Sequence, residues 1–243
     1  GVFDNHAGGC LGTITLTNST VFANTGKYRN GDDANAMAAF VVNYYSWYTH
    51  HCGKLMLRET TVAGNTKAFI AVTTVEISNS EISRNTGTKG GAFYIGHSGC
   101  EQCNYGTVTL RNSTVTYNKG DYGGAFYIHG GGTLNLNRVL VSNNVAVYNF
   151  AVMYIKNSLL SNIILVASVF KNNIAPAELV FSGIYGESII RDVAFEALSH
   201  KGNYIRLNTD FQNSILNQPL PKNCSLMPTY ICESHGYYSH MCT

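Results

Sequence analysis

The chain has 243 residues, 45% of them apolar, which supports one sizeable core in one long domain or two small ones. Only 12% are charged, and the net charge is +2 with Lys and Arg scattered along the chain. That argues against nucleic acid or an anionic membrane as the main partner. No apolar run reaches the roughly 18 residues of a membrane span, so membrane insertion is not expected. The sequence opens at Gly1 with neither Met nor a signal peptide, as expected of a mature form or an excerpt. With few charges, surface polarity must come from Thr, Ser, Gly, Tyr and above all from 26 Asn.

A twelve-residue segment recurs along the chain. It reads TITLTNSTVFAN (13–24), KLMLRETTVAGN (54–65), TVEISNSEISRN (74–85), TVTLRNSTVTYN (107–118), TLNLNRVLVSNN (133–144) and NIILVASVFKNN (162–173), with a degraded copy ESIIRDVAFEAL (187–198). The first half alternates apolar and polar residues, as a half-buried strand does. A small polar pair follows, then a second short strand. The segment closes on an apolar residue, two spacers and Asn. Those closing residues are Asn24, Asn65, Asn85, Asn118, Asn144 and Asn172.

A third strand precedes each segment: AMAAFVV (36–42), KAFIAV (67–72), GGAFYI (90–95 and again 123–128), FAVMYI (150–155) and ELVFSG (178–183). Each period therefore predicts three strands and three bends. Measured from Asn to Asn, the periods are 41, 20, 33, 26 and about 29 residues, with the variation expected in loops at one corner. A unit of this kind cannot bury its apolar face alone, whereas stacked units bury a continuous core. The expectation is an all-β, single-stranded parallel β-helix of about seven coils, residues 1–205. Identical residues would lie about 4.8 Å apart, giving a rod of roughly 35 Å. Asn tolerates a left-handed corner and can hydrogen-bond to the Asn above and below. The alternative, an antiparallel sandwich, lacks two-residue hairpin signals.

The pairing of GGA-apolar with apolar-x-x-Asn resembles the right-handed β-helix repeats of the polymorphic outer-membrane protein family, which carry GGA-[ILV] and FxxN motifs. It covers roughly residues 1–200 and departs in having Val or Ile at the expected Phe position and no C-terminal barrel. The resemblance implies right-handed coils and an extracellular setting, and it supplies no active-site residues.

Seven Cys stand at 10, 52, 100, 103, 224, 232 and 242. Cys10 and Cys52 enter consecutive coils at a similar place, which predicts a Cys10–Cys52 disulfide. Cys100 and Cys103 would pair with each other or close their loop. A zinc site built on them with His97 and His129 is the alternative. Residues 206–243 break the pattern and read as a disulfide-tied cap or docking arm holding Cys224, Cys232 and Cys242. An odd count leaves one Cys free or bonded to another chain, and such usage fits an oxidising exterior.

Acceptor sequons for N-linked glycans occur at Asn18, Asn112 and Asn223, and no other cofactor is expected. Acidic residues are scarce. Asp32 and Asp33 are the only adjacent pair, and Glu76, Glu81 and Glu101 stand in different contexts. That predicts no catalytic pair of carboxylates. The loop at 43–53 gathers Tyr44, Tyr45, Trp47 and Tyr48, and the tail adds Tyr237 and Tyr238. These form an expected contact surface for sugar or protein, or a lid over the rod itself. A start in mid-coil, aligned with the AFYI strand and lacking a capping helix, predicts end-to-end self-association into a filament. An adhesin segment binding glycans or surface proteins, and a polysaccharide lyase or hydrolase, are the alternative functions.

Overall fold

The structure, a computed structural model, describes residues 3–4, 13–24, 40–42, 54–66, 68–71, 73–96, 106–129, 131–149, 152–156, 161–175, 179–184, 189–191, 193–196, 204–207 and 215–216. Among these residues every paired strand runs parallel to its partner, and there is no helix. Sheet 1 holds Phe3–Asp4, Phe40–Val42, Phe69–Ala71, Phe93–Gly96, Phe126–His129, Met153–Lys156, Leu179–Ile184 and Tyr204–Leu207. Sheet 2 holds Thr13–Thr17, Lys54–Arg58, Thr74–Ser78, Thr107–Arg111, Thr133–Asn137, Asn162–Val166, Ile189–Arg191 and Ile215–Leu216. Sheet 3 holds Thr20–Phe22, Thr61–Ala63, Glu81–Ser83, Thr114–Thr116, Leu140–Ser142, Val169–Lys171 and Ala194–Glu196.

The chain visits sheets 1, 2 and 3 in turn, and each strand pairs with its counterpart one pass later. This is a parallel solenoid of stacked sheets, compatible with a β-helix, and it rules out the antiparallel sandwich. Two details differ from the expectation. A fourth strand follows the Asn corner in three successive passes: Thr86–Lys89, Lys119–Tyr122 and Val145–Asn149 form sheet 4. Length also varies at two corners. Asn65 leads almost directly to Phe69 while Asn24 is far from Phe40, and Ala71 leads directly to Thr74 while Gly96 is far from Thr107. Only the sheet 2 to sheet 3 segment stays constant, because both of its ends are fixed by hydrogen-bonded corners.

The core lies between the sheets. Sheet 2 turns alternate residues inward, such as Leu55 and Leu57, Val75 and Ile77, and Val108 and Leu110, all buried. Sheet 3 contributes one inward residue per pass: Val21, Val62, Ile82, Val115, Val141 and Phe170. Sheet 1 contributes a column of rings, Phe40, Phe69, Phe93 and Phe126, with centroids 5.1, 4.6 and 5.2 Å apart and nearly parallel planes. Each such buried side chain contributes about 1.5–3 kcal/mol relative to exposure.

The repeated GGA motif has a separate cause for each residue. Gly90 and Gly123 have φ of 68° and 71°, where a Cβ would lie 1.9 and 2.1 Å from the carbonyl oxygens of Phe93 and Phe126. A Cβ on Gly91 would lie 2.2 Å from the Gly124 oxygen, and one on Gly124 would lie 2.8 Å from the Val145 carbonyl carbon. Ala92 and Ala125 are buried and adjoin the ring column. The motif thus turns the chain from sheet 4 into sheet 1 under backbone contact that only Gly permits.

Candidate functional site

Two rows of left-handed residues flank sheet 3. Between sheets 2 and 3 stand Asn18, Glu59, Asn79, Asn112, Arg138 and Ala167, with φ between 47° and 55°. After sheet 3 stand Ala23, Gly64, Arg84, Tyr117, Asn143 and Asn172, with φ between 52° and 66°. Asn recurs in both rows because its short polar side chain tolerates this conformation best among non-Gly residues.

The residue after the second row carries the ladder. The Nδ2 of Asn24 donates to Oδ1 of Asn65 at 2.8 Å. The same bond joins Asn65 to Asn85, Asn85 to Asn118 and Asn118 to Asn144 at 2.9 Å, and Asn144 to Asn173 at 3.0 Å. Each Oδ1 also accepts the backbone N–H of the preceding Asn. The second Nδ2 hydrogen of Asn85, Asn118, Asn144 and Asn173 goes to a sheet 3 carbonyl of the preceding pass. One expected member is corrected: Asn173, not Asn172, completes the column. The register pairs Val141 with Phe170, so the last corner reads Phe170-x-x-Asn173 and Asn172 takes the exposed left-handed position.

A second ladder runs beside the first. Ser80 Oγ accepts the Thr60 N–H at 3.0 Å and donates to the Ser78 carbonyl at 2.7 Å. Ser113 Oγ does the same for Ser80 N–H and the Arg111 carbonyl, and Ser168 Oγ for Val139 N–H and the Val166 carbonyl. The recurring Asn-Ser pair is its trace in the sequence. It also gives two of the sequons a second origin. At 18–20 and 112–114 the Asn fills the left-handed position, the Ser fills the hydroxyl position and the Thr opens a strand. Both Asn18 and Asn112 are exposed and therefore open to modification.

Sheet 1 carries a second aromatic column on its outward side. Tyr94 and Tyr127 stack at 5.4 Å, and Tyr154 lies 5.3 Å from Tyr127, tilted 48°. Tyr94 and Tyr127 are only 4% and 3% exposed. Burial, then the neighbouring Tyr94, Tyr154 and Tyr122, push the Tyr127 phenol well above its ordinary range. His129 is buried beside Tyr127, with ring centroids 6.3 Å apart. Among the described residues no three of His, Cys, Asp and Glu gather as metal ligands. Thr73 Oγ1 and Ser161 Oγ, each one residue before a sheet 2 strand, are buried without a partner, and nothing in the structure explains them.

The outward side of sheet 2 is polar. Lys54 and Glu76 form an ion pair there at 2.7 Å. Beside it a depression of about 170 Å³ is lined by Met56, Arg58, Glu76, Ser78, Thr109 and Arg111, together with Leu57 and Ile77. Sequence reading found no signal for it, because its residues come from three passes and share no motif.

Several expected site residues lie outside the described residues. These are all seven Cys, Asn223, and the aromatic positions Tyr44, Tyr45, Trp47, Tyr48, Tyr237 and Tyr238. So do residues 217–243, most of the expected cap. No family model matches the chain, and neither the characterised proteins nor the solved structures contain a match.

Proposed function

We propose that this protein is a non-enzymatic structural glycoprotein of the cell exterior, a rod subunit that associates end to end into a fibre or surface layer. The observation that carries this reading is the strand edge at the first described rung. Among the described residues Thr13–Thr17 and Thr20–Phe22 pair on one side only, with Lys54–Arg58 and Thr61–Ala63. Among the described residues the Oδ1 of Asn24 has no donor, whereas that of each later ladder Asn takes two. A parallel coil placed on this edge gains a full set of strand bonds. Open edges of this kind template pairing with another chain, and a heterologous contact between two ends builds a filament. The Cys usage and the sequons support the extracellular setting.

A segment of a longer surface adhesin is the second reading, and one observation favours it. Another apolar-x-x-Asn coil stacked on Asn24 would bring it the two amide donors that each later ladder oxygen receives.

Negative-stain electron microscopy and light scattering of native material, with and without reductant, separate the two. Fibres with a regular axial repeat are expected. Their loss on reduction would assign the odd Cys to the junction. Dispersed short rods at all concentrations would reject end-to-end assembly and leave the adhesin reading.

A further inference from the structure

The depression on sheet 2 has a composition that assembly does not use. Arg58, Ser78 and Arg111 occupy one register row on three consecutive rungs. They point outward, because their strand neighbours Leu57, Ile77 and Leu110 are buried. The two arginines are thus about 10 Å apart at Cα, two rung spacings, with a small hydroxyl between them. Both are exposed, and among the described residues neither guanidinium has an ion-pair or hydrogen-bond partner. In the adjoining row Glu76 is already held by Lys54, so its charge is offset locally. Met56 and Thr109 flank it and give an apolar and a hydroxyl contact.

We infer that this notch binds an oxyanion carried on an acidic polysaccharide, with the anion held between Arg58 and Arg111 and Ser78 donating from the floor. Arginine's planar fork matches carboxylate and sulfate, and two forks converging on one anion exceed either alone. The depression is too small for a whole drug-sized ligand, whose pockets begin at about 300 Å³. It is also open to water, so a free anion gains little there. A polymer differs in two ways. It presents the anionic group many times, and it lays its hydroxyls along the outward Thr74, Thr107, Asn135 and Asn137 of the same face. This names the glycan class for the adhesin reading but rests on the notch alone, so fibre formation neither supports nor weakens it.

The test is binding of the full chain to polygalacturonate, dextran sulfate and neutral dextran at increasing salt. Binding to at least one anionic polymer and none to neutral dextran is expected, weakening as salt screens the contact. Binding of one anionic polymer alone identifies the oxyanion recognised. Arg58→Ala and Arg111→Ala should each weaken it about tenfold, while Lys119→Ala on sheet 4 should not. Ser78→Asp, which leaves both arginines in the sequence but sets a carboxylate between them that competes for their guanidiniums, should abolish it. Absence of binding to both anionic polymers overturns the proposal. So does an affinity that the arginine and Ser78 variants leave unchanged, or that Lys119→Ala lowers equally.

Discussion

An asparagine amide offers two donors and two lone pairs, and buried Asn118 uses all four. Its Oδ1 accepts from Asn85 N–H and Nδ2, and its Nδ2 donates to the Ile82 carbonyl and to Asn144. Full satisfaction is what makes a buried polar column tolerable in this core. The other Asn role is conformational and needs no partner. Positions 172 and 173 separate the two. Asn173→Ala would orphan the Asn144 N–H and one of the two Nδ2 hydrogens of Asn144, and would take one donor from the Val141 carbonyl. Unsatisfied buried groups cost about 1–3 kcal/mol each, so a loss of about 2–4 kcal/mol is expected after partial relaxation. Asn172→Gly keeps a residue at home at φ 52° and should change stability by no more than about 0.5 kcal/mol. Urea unfolding of both variants checks this, and equal losses would overturn the ladder assignment. The Asn doublet also shows a limit of sequence reading. Val169 and Phe170 both suit an apolar corner position, and both Asn suit the ladder. Burial decides between them: Phe170 is fully buried and Val169 only partly.

At the scale of one corner, the hydroxyl ladder has a gap. Val139 stands where other passes have Ser19, Thr60, Ser80, Ser113 or Ser168. It accepts nothing, so the Ser113 N–H lacks the hydroxyl acceptor that Ser80 N–H finds on Ser113. A buried Val→Thr change normally costs about 1–3 kcal/mol through an unpaired hydroxyl. Here Val139→Thr should be neutral or stabilising by up to about 1 kcal/mol, because its hydroxyl can accept from Ser113 and donate to the Asn137 carbonyl. Thermal and urea unfolding would show it, and a clear loss would mean the corner cannot seat the hydroxyl. The Asn-Ser repeat made this corner legible as a bend, but hydrogen bonding between passes is invisible to a single segment. On the outward side of sheet 1, Tyr94 and Tyr127 are buried although strand alternation turns them away from the Phe column, which a single segment does not reveal. Sheet 4 escaped notice because KGDY and TGTK carry no strand periodicity. They pair because their neighbours above and below pair.

At the scale of the whole molecule, the contact columns of the described residues run along the stacking direction and join each pass to its neighbours. Stability should then follow a chain of nearest-neighbour couplings. The pass from Thr107 to His129 holds one link in two columns, Asn118 and Phe126. From this pass the Phe column leads on to Met153, and the Asn column to Asn144. Replacing both, Asn118→Ala with Phe126→Ala, interrupts these two columns at one rung while leaving the strand ladders and the aliphatic core on either side. The Phe change alone should cost about 3–5 kcal/mol. The informative readout is cooperativity. With the native sequence, hydrogen exchange along a urea series should lose protection together over 54–96 and 133–173. In the double variant these two blocks should open at separate denaturant concentrations, since the rung that joined them no longer rewards simultaneous order. One shared transition at lower urea would instead mean that backbone ladders couple the rod by themselves, and that the two side-chain columns add stability without transmitting it.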